Sequence, residues 1–507
     1  MEPSFVVGTL RRHWVTFMIN IPYISTAVAV VLASHAAACG LPTFPLVPGE
    51  AIVRTANPKA LAQTITALSK QFQGVGIVDQ IDGRPIYLLS YQLNEFQNPD
   101  DVDLLLNGLV AQGTLSWTEL NYVGQTGEGN TDSLWLSGVG VNSNNYFDQY
   151  ASPMLGIDLA HARSLGAGIL VSVIDTGIDA SHPAFGGMVS TTGASFVPGA
   201  TTWSDIADGS DSDGDGVPNE QYGHGTFVAG LIHLVAPEAM IISARALDSD
   251  GRGNNFRIAQ AVAWSIDRGA HVVNMSLGEV YHSKALENMV LEASARGVIV
   301  CGAAGNRNAQ DPREFPACDP NAFGVSACDW TDQKAPFSNL EVRLDFAAPG
   351  DSNLVNGIPV LSECIIGPVP GGNFAIWEGT SFSNAFVSGT VALVRSQRPD
   401  WPSATALPPT ILNRVYGVLA DSGMPIVPND PAHAGLLGIA RISASGAVLE
   451  NPPAARRGDL NLDGFVNSID LSVMLNAWGQ APTFIRSDLN ADGRVDARDL
   501  SILLDAW

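Results

Sequence analysis

Between about residues 146 and 449, short apolar runs alternate with helical patterns, and this rhythm constrains the fold more than any other feature of the chain. Ile169 to Ile174, Met240 to Ala244, Val272 to Met275 and Val298 to Val300 have the length of strands and few polar positions. Phe256 to Arg268 and Ser283 to Ala295, between them, space their apolar residues as a helix does. A strand apolar on both faces must be covered on both, and helices crossing over between parallel strands supply that cover. The expectation is an α/β domain over residues 146–450, built on a doubly wound, mostly parallel sheet.

The flanking segments have rhythms of their own. Glu50 to Arg54 and Pro85 to Tyr91 read as strands, Pro58 to Phe72 and Asp101 to Ala111 as helices, and Trp117 to Leu120 as a further strand. Residues 46–123 therefore form a small α+β unit of the split βαβ, ferredoxin-like kind. Gly124 to Asn145 is rich in Gly, Asn, Ser and Thr and reads as a linker over 124–145. Pro452 and Pro453 mark a second linker, 451–457, ahead of a repeat that fills residues 458–507.

Arg11 and Arg12 precede a mostly apolar run from Trp14 to Val31, followed by small residues ending Ala36-Ala37-Ala38. This is the pattern of an export signal over residues 1–38, with Asn20 and Pro22 weakening the run as a permanent span. Cleavage after Ala38 ranks first, a lipid on Cys39 second and a retained anchor third. The mature form is then expected to be secreted or attached at the cell surface, without a membrane span. Past Cys39, the four cysteines Cys301, Cys318, Cys328 and Cys364 allow two disulfides in any of three pairings, or free buried thiols. A net charge of -24 argues against nucleic acid as a partner. It suits a protein that gathers cations.

Three motifs carry the chemistry. Asp175-Thr176-Gly177 stands at the carboxyl end of an apolar strand, where open α/β sheets place functional groups. Gly223-His224-Gly225-Thr226 opens a helix of small residues, and Gly379-Thr380-Ser381 turns into another. A serine hydroxyl needs a base to take its proton, and that base needs a carboxylate to hold its tautomer and stabilise its charged form. A serine at a helix N-terminus also has backbone N–H groups aimed at a developing oxyanion. In the order Asp, His, Ser, these motifs resemble the subtilisin-like serine proteases, or subtilases, over roughly Tyr146 to Leu449. The resemblance implies Asp175 as orienting acid, His224 as general base and then acid, and Ser381 as nucleophile. It makes Asn306, in Ala303-Ala304-Gly305-Asn306, the side-chain donor to the oxyanion.

The same resemblance implies that Gly251, Arg252 and Gly253 on one side, and Ser276, Leu277 and Gly278 on the other, pair with an extended polypeptide substrate. Three positions depart from the family pattern. Glu279 stands where a second Gly is usual, Phe227 where a second His is usual, and Ala385 where Pro is usual. Residues 46–123, ending Trp117-Thr118-Glu119-Leu120-Asn121-Tyr122, resemble the inhibitor-like propeptides of the family, which implies self-cleavage between Tyr122 and Tyr146. An ordinary substrate-binding α+β domain is the competing reading.

At the end of the chain Asp459 to Trp478 recurs as Asp488 to Trp507, with 12 of 20 positions identical. Each copy puts oxygen ligands at positions 1, 3, 5, 9 and 12 of a loop with Gly at 6, which is the logic of a Ca²⁺ loop. The side chains are Asp459, Asn461, Asp463, Asn467 and Asp470, then Asp488, Asn490, Asp492, Asp496 and Asp499. The carbonyls of Phe465 and Arg494 complete the sets. Two such loops, each followed by one helix, resemble a dockerin domain, which implies two Ca²⁺ ions and a cohesin-type module on a scaffold or surface protein as partner. Positions 10 and 11 (Ser468-Ile469 and Ala497-Arg498) differ between the copies, which argues against two symmetry-related binding modes. A third Ca²⁺ site is expected at Asp211, Asp213 and Asp215, with Asn219 at position 9, although Tyr222 at position 12 offers no carboxylate. The function expected from the whole is a secreted serine endopeptidase docked outside the cell. An inactive subtilase-like adhesion protein and an esterase or amidase are the alternatives.

Overall fold

The computed structural model describes residues 45–128, 135–137, 140–398, 401, 410–426, 429–449, 458, 460, 466–479, 487–489, 494–505 and 507. The export signal, Cys39 and the linker 451–457 lie outside them. Described residues from Pro45 onward belong to one compact unit.

The chain first builds a small sheet. Its strands are β1 (Leu46–Thr55), β2 (Gln73–Gln80), β3 (Ile86–Gln92) and β4 (Leu115–Gln125), in the order β2-β3-β1-β4. Helices α1 (Pro58–Leu68) and α2 (Pro99–Ala111) start on Asn caps followed by Pro, so the first free N–H groups are satisfied and φ is preset. Leu68, Val102 and Leu106 of the helices pack on Ala51, Val53 and Leu89 of the sheet. This α+β unit matches the expectation except at β2, whose Gly-interrupted sequence shows no apolar alternation, and at β4, which runs on to Gln125.

The larger sheet has eight strands, all paired in parallel. At its centre lie β5 (Leu170–Asp175), β6 (Met240–Arg245), β8 (Val272–Met275), β9 (Ile299–Ala303), β10 (Ala322–Cys328) and β11 (Phe346–Pro349), with Ala194–Ser195 and Ala440–Arg441 at the two edges. A three-residue strand, β7 (Arg252–Asn254), stands apart and pairs with β4 instead. Helices α3 (His224–Val235) and α6 (Thr380–Ser396) pack in one apolar cluster, and α4 (Asn255–Asp267) and α5 (Lys284–Ala295) in another. Residues 124–145, expected as a loose linker, are partly built into the fold. Gly124 and Gln125 extend β4, and Trp135–Ser137 pairs antiparallel with Asn373–Trp377.

Cys301, Cys318, Cys328 and Cys364 are free thiols, so neither permitted disulfide forms among them. Burial pushes the Cys301 thiol up to about 12, which keeps it uncharged. In the C-terminal repeat the described residues include helices α7 (Ser468–Asn476) and α8 (Ala497–Asp505), which share a small core of Leu460, Met474, Leu489, Val495 and Leu503.

Candidate active site

Asp175 ends β5, His224 opens α3 and Ser381 lies in the first turn of α6, so three separate elements deliver three buried side chains to one place. Asp175 Oδ1 is 2.8 Å from His224 Nδ1 and accepts the Thr176 N–H at 2.7 Å. Trp377 meets the His224 ring edge-on at 5.3 Å, with Phe382 on another side. Phe227 packs on Phe382 at 4.6 Å and on Trp377, so the aromatic in place of the usual His belongs to this wall. Asn306 is oriented by Thr380, whose N–H and hydroxyl both donate to its Oδ1 at 2.9 and 2.8 Å, which turns the Nδ2 group toward the cleft.

Two residues at the site were not anticipated. The first is Asp205, which is fully buried. It accepts from Gly223 N (3.1 Å), Thr226 N (3.2 Å) and the Thr226 hydroxyl (2.6 Å), and so fixes the turn that presents His224. Burial pushes its carboxyl up to about 6, against those hydrogen bonds. Its place in the sequence, within a polar loop well before His224, gives no hint of this contact.

The second is Glu128. β4 leaves the small sheet and enters the groove between β7 and the segment after β8. Val123, Gly124 and Gln125 pair antiparallel with Asn254, Gly253 and Arg252. Gln125 also exchanges two backbone hydrogen bonds with Gly278, at 3.1 and 2.9 Å, and Thr126 N donates to Gly251 O at 3.0 Å. The segment then delivers the Glu128 carboxylate into the cluster. Oε2 lies 2.8 Å from Ser381 Oγ and 3.2 Å from His224 Nε2, and Oε1 accepts from Asn306 Nδ2 at 3.0 Å. Glu128 comes this close because Gly379 is bare: a Cβ there would lie 1.9 Å from Glu128 Oε1.

Electrostatics follow from this geometry. Burial opposes a charge on His224, but carboxylates on both ring nitrogens outweigh it and push the imidazole up to about 10. Burial likewise opposes the Glu128 charge, while His224, Ser381 and Asn306 hold its carboxyl below the usual range. In this arrangement the base is already protonated, and its proton faces a carboxylate. A larger cavity of about 850 Å³, lined by Val141, Tyr222, Val369 and Phe374 among others, includes no triad residue.

Residues 166–425 match the Subtilase family (Peptidase S8) and residues 457–505 match the Dockerin type I domain. The chain belongs to the subtilase family. It is similar to subtilisin BL of Lederbergia lenta, 38% identical over 252 residues that make up 48% of this chain and 82% of that protein. Subtilisin NAT of Bacillus subtilis subsp. natto is 35% identical over 47% of this chain and 58% of its own length. In fold it resembles fervidolysin of Fervidobacterium pennivorans, a keratinolytic enzyme related to subtilisin, with a TM-score of 0.61, 19% identity, and coverage of 82% of this chain and 63% of that one. This subtilase is a serine endopeptidase, which sets aside the adhesion-only alternative.

Dockerin type I domains bind calcium, and the described part of this one fits a hard cation. Asp470 and Asp499 are fully buried at the starts of α7 and α8, and Asp488 is nearly so. Asp470 accepts from Leu460 N and Asn467 N, Asp499 from Asp496 N, and Asn467 and Asp496 cap their helices in turn. Arg494 is described too. Asp459, Asn461, Asp463, Phe465, Asn490 and Asp492 lie outside the described residues. In the subtilase domain, oxygens of Asp211, Asp213 and Asp215 lie within 4.8 Å of one another. Asn219, expected at position 9, accepts on its Oδ1 from Gly209 N and the Ser249 hydroxyl. No helix of the described residues is long and apolar enough to cross a membrane.

Proposed function

We propose that this subtilase is a secreted endopeptidase that cuts extended polypeptides with an Asp175–His224–Ser381 triad, is held latent by residues 46–128, and attaches through its dockerin to a cohesin-bearing partner. One observation carries the reading: residues 123–127 lie in the groove as an added strand, bonded to Gly251, Arg252, Gly253 and Gly278, and lead to Ser381. A groove that holds one polypeptide by its backbone can hold others, which favours peptides over small esters.

With Glu128 withdrawn, the Ser381 hydroxyl attacks the carbonyl carbon of the bond to be cut while its proton passes to His224 Nε2. Asp175, on Nδ1, stabilises the imidazolium. Asn306 Nδ2 and the Ser381 backbone N–H donate to the oxyanion. His224 then returns the proton to the departing amine, leaving an ester on Ser381. Water attacks that ester, His224 takes the water proton, and Ser381 regains its own. Ca²⁺ takes no part in these steps. Asp459, Asn461, Asp463, Asn467 and Asp470, with the second loop's Asp488, Asn490, Asp492, Asp496 and Asp499, would hold it, and its charge would draw their carboxylates into two ordered loops.

Comparing casein hydrolysis by the wild type and Ser381→Ala in Ca²⁺ tests the proposal. The wild type is expected to degrade casein and the variant to be inert. Equal hydrolysis by both would sink the triad assignment.

A further inference from the structure

Beside the paired backbone, the groove presents two side chains, Arg307 and Glu314, that neither the triad nor the pairing uses. With Gln125 paired to Gly278 and Thr126 to Gly251, Gly127 is the residue brought up to the oxyanion donor. A Cβ on Gly127 would lie 3.1 Å from Asn306 Nδ2 and 3.6 Å from Gly305 Cα. Gly127 thus marks the position of the residue just before the bond to be cut. Val123, Gln125 and Gly127 border one cavity of about 210 Å³, whose other side includes Gly278, Arg307 and Glu314.

Glu314 is wedged across this slot. A Cβ on Gly278 would come within 2.7 Å of Glu314 Oε2, and a Cβ on Gly305 within 2.8 Å of Oε1. Two bare glycine walls therefore close on a single carboxylate. Arg307 holds that carboxylate in an ion pair, and its own backbone N–H donates to Asn339 Oδ1 at 2.9 Å. The residue after Glu314 is pinned as well, because Phe315 exchanges two backbone hydrogen bonds with Glu279, at 2.8 and 3.0 Å. Burial pushes the Glu314 carboxyl up to about 7, and the Arg307 guanidinium opposes that rise.

We propose that the Arg307–Glu314 pair determines specificity by narrowing this position to small side chains, so that the enzyme cuts after glycine and alanine. The inference rests on the endopeptidase reading above and names its substrate class: extended polypeptides with small residues at the cut. A large apolar side chain would have to displace a paired, buried carboxylate. A lysine would have to compete with Arg307 for it.

The test uses the full chain, with active sites counted by a fluorophosphonate probe and kcat/KM measured per labelled site. The peptides differ only before the cut bond, carrying Gly, Ala, Phe or Lys. The wild type is expected to prefer Ala or Gly over Phe by ~10-fold or more, the range a change in pocket size commonly gives. Glu314→Ala is expected to raise the Phe-to-Ala ratio by ~10-fold or more. Arg307→Ala, which strips the carboxylate of its cation, is expected to raise the Lys-to-Ala ratio. A labelled wild type that prefers Phe or Lys, or a labelled Glu314→Ala with an unchanged Phe-to-Ala ratio, would overturn this assignment alone. A chain that takes no label and cuts no peptide would overturn the endopeptidase reading, and this inference with it.

Discussion

At the residue scale the decisive group is His224, held between two carboxylates that do opposite things for the enzyme. In the proposed mechanism Asp175 prepares it to be a base, whereas Glu128 takes up the position from which it would act. Because its pKa is raised to about 10, the charged form persists through neutral pH and no base is available while Glu128 stays. Glu128→Gln is expected to lower the His224 pKa, and each unit of that fall yields ~10-fold more neutral imidazole. Faster fluorophosphonate labelling of the uncut chain, with an imidazole NMR titration below about 10, would show it. An unchanged titration would mean Asp175 alone holds the proton. Asp205→Ala leaves Gly223 N and Thr226 N buried without their acceptor, at ~1–3 kcal/mol each. It is expected to lower kcat more than it raises KM, with partial rescue by Asp205→Asn, which keeps one of the two acceptor oxygens; an equal loss in both would point to general unfolding. Asp175, His224, Asn306 and Ser381 were singled out by their resemblance to the subtilase motifs, and the structure brings their side chains to one place. Glu128 and Asp205 were not, since each acts only through contacts made by distant segments.

Among the elements, β4 does most to connect the two parts of the fold. It closes the small sheet, pairs with β7 and carries Glu119, which accepts from the Ser283 hydroxyl and from the N–H groups of Lys284 and Ala285 at the start of α5. Burial pushes that carboxyl up to about 7, from an ordinary value near 4.5 when undocked. A raised carboxyl pKa means that the docked form holds its proton more tightly. The contribution to docking is therefore full below about 4.5, declines as pH rises and is gone above about 7. Amide exchange at Lys284 and Ala285, measured in Ser381→Ala and corrected for intrinsic rates, should speed up between about pH 5 and about pH 8. Glu119→Gln should flatten that trend; an identical trend in both would assign it to another group. The strands of the large sheet were readable from their apolar runs, because burial on both faces leaves little choice of residue. β2 and the inward end of β4 were not, because glycine and polar residues form strands there only when a neighbouring edge supplies the hydrogen bonds.

For the whole molecule, the acidic charge is functional where it is arranged, and the C-terminal repeat arranges it most regularly. Asp470 and Asp499 are buried at the starts of α7 and α8, where their oxygens would serve as ligands to a hard cation. Asp470→Ala with Asp499→Ala is expected to abolish the Ca²⁺-dependent gain in thermal stability of the C-terminal helices, read by circular dichroism with and without chelator. A gain equal to that of the wild type would remove these residues from the ligand set. The free thiols predict that reductant leaves the melting temperature unchanged. These scales meet in the proposal that residues 46–128 fill the cleft of an endopeptidase that frees itself. The most direct measurement is the intact mass and new N-terminus of the wild type beside Ser381→Ala, both in Ca²⁺. A wild-type product beginning between Tyr122 and Tyr146 is expected, with the variant uncut. A product beginning before Tyr87, or the same trimming in Ser381→Ala, would contradict it.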